Sequence, residues 1–276
     1  MSEDFRNKLA SLQSRIQSLE SVAVAYSGGV DSTFLLKIAH DVLKENCMAV
    51  TARSSTYPER EFLEAKGFAQ QIGARHTVIF SEELDIEGFS DNPVNRCYFC
   101  KRELFTKIID VAKQHGIKHV VEGSNVDDLG DYRPGMRAIH ELGIISPLRE
   151  SGLKKEEIRT LSKQMGLPTW DKPAFACLAS RFPYGEKITQ EKLLTIGRLE
   201  QFLLNLGFRQ VRVRHHGEIV RIEVGRNEVK RFADDALKDS ICREFKQAGF
   251  AYVTLDLQGY RTGSMNEVIE ARAGDG

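Results

Sequence analysis

At 276 residues and 31.1 kDa the chain is long enough for a large buried core and for two domains. Its 39 basic residues balance 39 acidic ones, which excludes a global positive field of the kind that holds a nucleic-acid backbone, so a large polyanion is not the default partner. No apolar run reaches bilayer length and the N-terminus is polar, without the apolar core of a signal peptide; this predicts a cytoplasmic protein with no membrane partner.

In chain order, Phe5, Leu9, Leu12, Ile16 and Leu19 recur at helical spacing, predicting a packing helix over 3–20. The apolar run 22–26 then meets Ser27-Gly28-Gly29-Val30-Asp31-Ser32 and passes into a helical pattern. Two glycines let the backbone turn tightly, and the following helix points unpaired N–H groups and its positive end at whatever occupies the turn. This is an anion cradle. It is not a Walker loop, since no lysine lies inside it, and it lacks the spacing of a dinucleotide fingerprint. The stretch resembles the S-G-G-x-D-S loop of the PP-loop ATP pyrophosphatases, which split ATP between the α- and β-phosphates.

Strand-like and helical stretches then alternate: strand 47–52, helix 59–72, strand 76–80, helix 98–115, strand 118–122 and strand 144–146. Such alternation predicts a Rossmann-like parallel sheet with helices on both faces, and ligands bind beyond the carboxyl ends of its strands. The loops 53–58, 81–96, 123–134 and 147–152 are therefore the ones to inspect. Among them, Gly123-Ser124-Asn125-Val126-Asp127-Asp128 joins a permissive glycine to two carboxylates, with Asp131-Tyr132-Arg133 close behind. An acidic pair there suits magnesium beside a triphosphate, and equally a solvated turn.

A helix over 151–167 is closed by Pro168. The irregular stretch 170–185, with the sole tryptophan, marks a boundary. The expected organisation is an ATP-binding domain at 1–170, a cysteine-bearing linker at 171–188, and a small α+β domain at 189–276. In the last, Thr189 caps a helix reaching 206, strands 211–214 and 219–224 form a hairpin, and a helix at 235–248 and a strand at 252–257 follow.

Five cysteines are an odd number in a chain of this size, favouring thiols or metal ligands over disulfides. Cys97 and Cys100 open a helix just before Lys101 and Arg102, a setting that favours thiolate. One C-x-x-C supplies two ligands, and Cys177 is the natural third. Three thiolates suit a four-iron four-sulfur cluster with one iron open to an exogenous sulfide; a redox dithiol or zinc site, and inert thiols, are the alternatives. Cys47 and Cys242 read as packing residues. Arg212 and Arg214 share one face of a strand, which suits a phosphate or carboxylate and also describes an ordinary polar face. His215 and His216 read as polar residues beside a turn.

Several blocks together resemble the LarE family: Ser27 to Ser32; Asn92-Pro93 with Arg96-Cys97-Tyr98-Phe99-Cys100-Lys101; Glu122-Gly123-Ser124-Asn125-Val126-Asp127-Asp128; Ala176-Cys177-Leu178-Ala179-Ser180-Arg181; and Val211-Arg212-Val213-Arg214. That family comprises ATP-dependent sulfur transferases of nickel-pincer nucleotide synthesis, serving lactate racemase. The resemblance implies a nucleotide-like substrate, pyridinium-3,5-biscarboxylic acid mononucleotide, whose carboxylates become thiocarboxylates. It implies that Ser27, Gly28, Gly29, Asp31 and Ser32 hold the ATP phosphates and magnesium, and that Lys101 and Asp128 surround substrate and nucleotide. Ser180, Arg181, Arg212 and Arg214 would bind phosphate. Glu200 and Glu223 match acidic positions proposed for metal contacts. Cys177 stands near the cysteine that some members sacrifice as sulfur source; members of that kind lack the C-x-x-C, so this chain resembles the branch whose three cysteines, Cys97, Cys100 and Cys177, hold an iron–sulfur cluster. Other enzymes of the pathway are the implied partners, with a homo-oligomeric assembly. The rival readings are a transfer-RNA thiolase and a non-thiolating ligase or amidotransferase of the same superfamily.

Overall fold

The computed structural model describes residues 3–130 and 134–264. It divides into two compact units, Met1–Ile86 with Asn95–Phe175, and Glu87–Val94 with Ala176–Gly276.

The first unit runs α1 (Glu3–Ser18), β1 (Val22–Ala25), α2 (Val30–Leu43), β2 (Cys47–Arg53), α3 (Glu59–Ile72), β3 (Arg75–Phe80), α4 (Arg96–Gln114), β4 (His119–Val121), α5 (Gly135–Glu141), α6 (Pro147–Glu150) and α7 (Lys155–Gln164). All four strands are parallel, in the order β3-β2-β1-β4, with Val22 opposite both Cys47 and His119. Because side chains alternate across a strand, Val22 and Val24 enter one core with Leu12, Ile16, Phe34, Ile38, Ile158 and Leu161, while Ala23 turns to a second core with Met48, Phe105, Ile108 and Ile139. Helices α1, α2 and α7 thus cover one face, and α4 and α5 the other. The predicted fold class is the observed one: a Rossmann-like sheet with a small C-terminal α+β part.

Two elements differ from expectation. The stretch 144–146 makes only a single parallel bridge, Ile145 to Val121, because Pro147 starts α6 at once and Ser146 turns its hydroxyl onto Glu122. The helix expected from 151 begins at Lys155, where the Glu157 carboxylate accepts the Lys154 N–H at 2.8 Å and fixes the start.

In the second unit Thr189 accepts the Lys192 N–H at 3.3 Å and starts α8 (Gln190–Asn205). The strands β5 (Val211–His216) and β6 (Ile219–Val224) form the antiparallel hairpin expected from their period of two. Helix α9 (Asp235–Gln247) leads to β7 (Tyr252–Leu255), which pairs with β6 in parallel and makes the small sheet mixed. The segment Glu87–Val94 belongs here: Asn92 donates its amide N–H to Pro183 O at 2.6 Å and Phe182 O at 3.2 Å, and Ile188 N–H bonds Ser90 O at 2.8 Å.

Candidate active site

The carboxyl ends of β1, β2, β3 and β4 bring four loops of the first unit together. Tyr26 extends β1, donating its N–H to Val50 O at 2.9 Å and accepting Thr51 Oγ1 at 2.8 Å. The chain then turns through Gly28, whose φ of +65° lies in the left-handed region, and a Cβ there would sit 2.6 Å from Ala65 Cβ on α3. Only glycine permits this approach. Ser32 closes the turn from the other side: its hydroxyl accepts the Ser27 N–H at 3.3 Å, lies 3.1 Å from Ser27 Oγ and donates to Gly29 O at 3.3 Å. No side chain caps α2 at Gly29, so its first N–H groups and positive end face the turn.

The loop after β4 packs on the same helix start. A Cβ on Gly123 would lie 3.1 Å from the Ser32 nitrogen. Beneath it, the buried Glu122 carboxylate accepts the Ser124 N–H at 3.0 Å, the Ser124 hydroxyl at 2.8 Å and the Ser146 hydroxyl. Asn125 links the acidic residues: its N–H bonds Asp128 Oδ2 at 2.9 Å, its Oδ1 accepts the Asp127 N–H at 2.9 Å, and its side-chain amide reaches Asp31 Oδ1 at 3.4 Å. Lys155, first residue of α7, donates its backbone N–H to Asp127 at 2.8 Å and pairs its ammonium with Asp31 Oδ2. Asp31 and Asp128 are therefore both bonded to Asn125, and Lys155, which no motif announced, holds Asp31 and Asp127. Asp131, Tyr132 and Arg133 lie outside the described residues.

From the loop after β2, the Tyr57 hydroxyl donates to Ser27 O at 2.7 Å. Burial raises the phenol of Tyr26 to about 12 and pushes that of Tyr57 up as well, so both remain neutral donors at physiological pH. From the loop after β3 comes Glu83, whose carboxyl is raised by burial against the opposing hydroxyls of Ser54 and Thr56. Cys100 points its thiol at Glu83 Oε1 across 3.9 Å. Cys97 and Cys100 lie one turn apart at the start of α4, partly exposed, on one face. On the next turn, Lys101 packs so closely on α5 that a Cβ on Gly135 would stand 2.5 Å from Lys101 Cδ.

The second unit gathers arginines. Arg181, fully buried, forms a two-pronged pair with Glu200 (Nε–Oε1 2.7 Å, Nη2–Oε2 3.0 Å), and its Nη1 donates to Ser180 Oγ at 2.7 Å, Ala176 O at 3.0 Å and Cys177 O at 3.3 Å. Glu200 also accepts the Val213 N–H at 2.9 Å. Arg214 makes the same fork on Glu223 at 3.0 and 2.9 Å and donates to Ser180 O at 2.7 Å. Arg212 lies over the Tyr260 ring, 4.9 Å from its centroid, and burial together with the nearby Arg181 charge brings its pKa down to about 10. This arginine knot holds the Cys177 carbonyl through Ser180 and Arg181 and the Ser180 carbonyl through Arg214, with Arg212 close to Arg181. Three expectations are corrected here. Arg212 and Arg214 are buried, so they are not a solvated polar face. His215 does lie beside the turn, accepting the Gly217 N–H at 3.3 Å, but it is not a solvated polar residue: it packs between Phe182 and Phe250, 5.4 Å from each ring, with Nδ1 2.5 Å from Glu186. Cys242 is exposed, because Ile241 and Phe245 take the inward face of α9 and leave position 242 turned out.

One family model, described as asparagine synthase, matches residues 7–95. An uncharacterised protein of Synechocystis is 45% identical over 95% of this chain and 98% of its own length. Pyridinium-3,5-bisthiocarboxylic acid mononucleotide synthase of Lactiplantibacillus plantarum is 36% identical over 95% of each chain. The chain belongs to the LarE family. A more distant likeness, 25% identity to a component of the glutamine-hydrolysing GMP synthase of Archaeoglobus fulgidus, spans 59% of this chain and 56% of that one.

As a LarE-family protein the chain is an enzyme, an ATP-dependent sulfurtransferase of cofactor biosynthesis. The cysteines that resemble the family's pattern fall on both units: Cys97 and Cys100 in the first, Cys177 in the second, each a partly exposed thiol. Among the described residues no group of three or more His, Cys, Asp or Glu side chains is arranged to hold a metal ion. No helix among them is long and apolar enough to cross a membrane. Glu83, Lys155, Lys172 and Tyr57 escaped the sequence reading; Tyr57 and Glu83 at least lie in loops that follow predicted strands, whereas no local pattern pointed to Lys155 or Lys172.

Proposed function

We propose that this LarE-family enzyme activates the carboxylates of a pyridinium biscarboxylic acid mononucleotide with ATP and replaces one oxygen of each with sulfur. The observation that carries the reading is the Ser27 to Ser32 loop, with backbone N–H groups presented at an uncapped helix start and the carboxylates of Asp31 and Asp128 beside it. This loop is the proposed ATP site. A free carboxylate resists substitution because oxide would have to leave. Attack of a carboxylate oxygen on the α-phosphorus of ATP forms a carbon–oxygen–phosphorus link, breaks the bond to the bridging oxygen and expels pyrophosphate. The loop amides, the α2 dipole and the Lys155 and Lys101 ammonium groups stabilise charge that builds on the phosphates. Asp31 is the residue to hold magnesium, which would take the place of Lys155 on its carboxylate and release that ammonium to the phosphates. A sulfide-level nucleophile then adds at the activated carbonyl carbon, AMP leaves with the carbon–oxygen bond electrons, and a thiocarboxylate remains.

The thiols of Cys97, Cys100 and Cys177 have the donor chemistry for an iron–sulfur cluster, and two of them already share a helix face. When bound, a four-iron cluster with one open site would present sulfide without consuming a protein cysteine. The Cys177 backbone is fixed for this by Arg181 and Ser180, which hold its carbonyl at 3.3 and 2.9 Å. The arginine knot of the second unit is the proposed seat of the substrate phosphate, the buried glutamates fixing the two forks in place.

The test is anaerobic incubation of the purified enzyme with ATP, magnesium, sulfide and the biscarboxylated nucleotide, reading pyrophosphate and a mass gain of one sulfur for oxygen per turnover. ATP cleavage that depends on transfer RNA instead would refute the substrate assignment. Cys177→Ala should bind less iron and fail in sulfur transfer while still releasing pyrophosphate; full iron content and normal transfer would sink the cluster assignment.

A further inference from the structure

We infer that Lys172, together with Tyr57, is a positioning residue of the ATP loop, holding its carbonyls turned away so that its N–H groups face the phosphates. Three successive loop carbonyls are each engaged by a side chain: Ser27 O by the Tyr57 hydroxyl at 2.7 Å, Gly28 O by the Lys172 ammonium at 3.3 Å, and Gly29 O by the Ser32 hydroxyl at 3.3 Å. A peptide unit with its oxygen pinned outward shows its neighbouring N–H inward. Anion recognition by backbone depends on that orientation, because an inward carbonyl would repel phosphate.

Lys172 also has a charge role. It pairs with Glu61 at 2.7 Å and Glu64 at 2.8 Å, one turn apart on α3, the helix that Gly28 touches. Two carboxylates so near a polyphosphate would oppose binding; a largely buried ammonium between them cancels most of that field. The lysine is itself fixed. Arg159 of α7 donates to Trp170 O at 2.7 Å and to Lys172 O at 2.8 Å, and Lys172 N–H bonds Thr169 O at 3.0 Å. Helix α7 therefore reaches the ATP loop through residue 172, just as it reaches Asp31 through Lys155.

The inference rests on the reading of Ser27 to Ser32 as the ATP site, and the experiment separates the two. Titration calorimetry with a non-hydrolysable ATP analogue and, separately, AMP is done on the wild type, Lys172→Ala, Lys172→Arg and Tyr57→Phe, with thermal unfolding of each. Absence of analogue binding by the wild type would overturn the ATP-site reading, and this inference with it. Given wild-type binding, Lys172→Ala should lose about tenfold in affinity for the analogue and much less for AMP, which lacks the outer phosphates; Lys172→Arg should recover most of the loss, and Tyr57→Phe should lose about threefold. Equal losses for the two ligands, or unchanged analogue affinity in Lys172→Ala, would overturn the positioning role. Should Lys172→Ala not fold, unchanged affinity in Tyr57→Phe would do the same.

Discussion

Gly28 shows how much a single residue can carry. Its positive φ and its contact with Ala65 leave no room for a side chain, so Gly28→Ala must shift either the loop or α3. We expect ATP-dependent pyrophosphate release to fall at least about a hundredfold, because displaced N–H groups no longer meet the phosphates, with unfolding eased by about 1–3 kcal/mol. A thermal melt and a pyrophosphate assay of the variant check both. His76 and His215 give a second residue-scale expectation. Burial, the largest influence on each, sets their imidazoles below the ordinary 6.5; at His215 the Lys192 charge adds to it and Glu186 opposes it. The unfolded chain therefore takes up protons that the folded chain refuses. Stability should be flat above about pH 6.5 and decline as the pH drops below it, and melting temperatures in a pH series from 8 to 5 measure this; His215→Phe should weaken the decline.

At the scale of elements, α8 and the β5–β6 hairpin are joined by charge as much as by apolar packing. Glu200 on α8 ties the Arg181 fork to the β5 backbone at Val213, and Glu223 on β6 ties Arg214. Removing one partner strands a buried charge, so Glu200→Ala should cost about 3–5 kcal/mol by denaturant titration, more than Leu199→Met on the same helix. The sequence announced Arg212 and Arg214 by their spacing of two but also allowed a solvated face. Whether a strand is covered depends on what packs over it, and spacing within the strand carries no record of that.

For the whole molecule, 39 basic residues against 39 acidic ones leave no global positive field, and with the proposed small nucleotide substrate this sets an expectation for salt. Raising salt from 50 to 200 mM should change turnover by no more than about threefold; a polynucleotide substrate neutralising several phosphates would lose affinity by about a thousandfold or more over that range. Steady-state rates at fixed, saturating ATP test it.

The parallel α/β fold, the glycine loop, the C-x-x-C helix and family membership were all legible in the bare sequence, because they depend on local periodicity and on residues adjacent along the chain. Even the start of α8 could be read there, since a cap is a contact across three residues. Folding was needed to learn that Lys155 sits on Asp31, that Lys172 holds Gly28 and neutralises Glu61 and Glu64, that Glu83 lies beside Cys100, and that His215 is enclosed by rings. Lys155 and Asp31 are 124 residues apart and Lys172 and Gly28 are 144 apart. Burial and pairing are set by which distant side chains the folded backbone brings to one place, and a single lysine or glutamate carries no local pattern to foretell it.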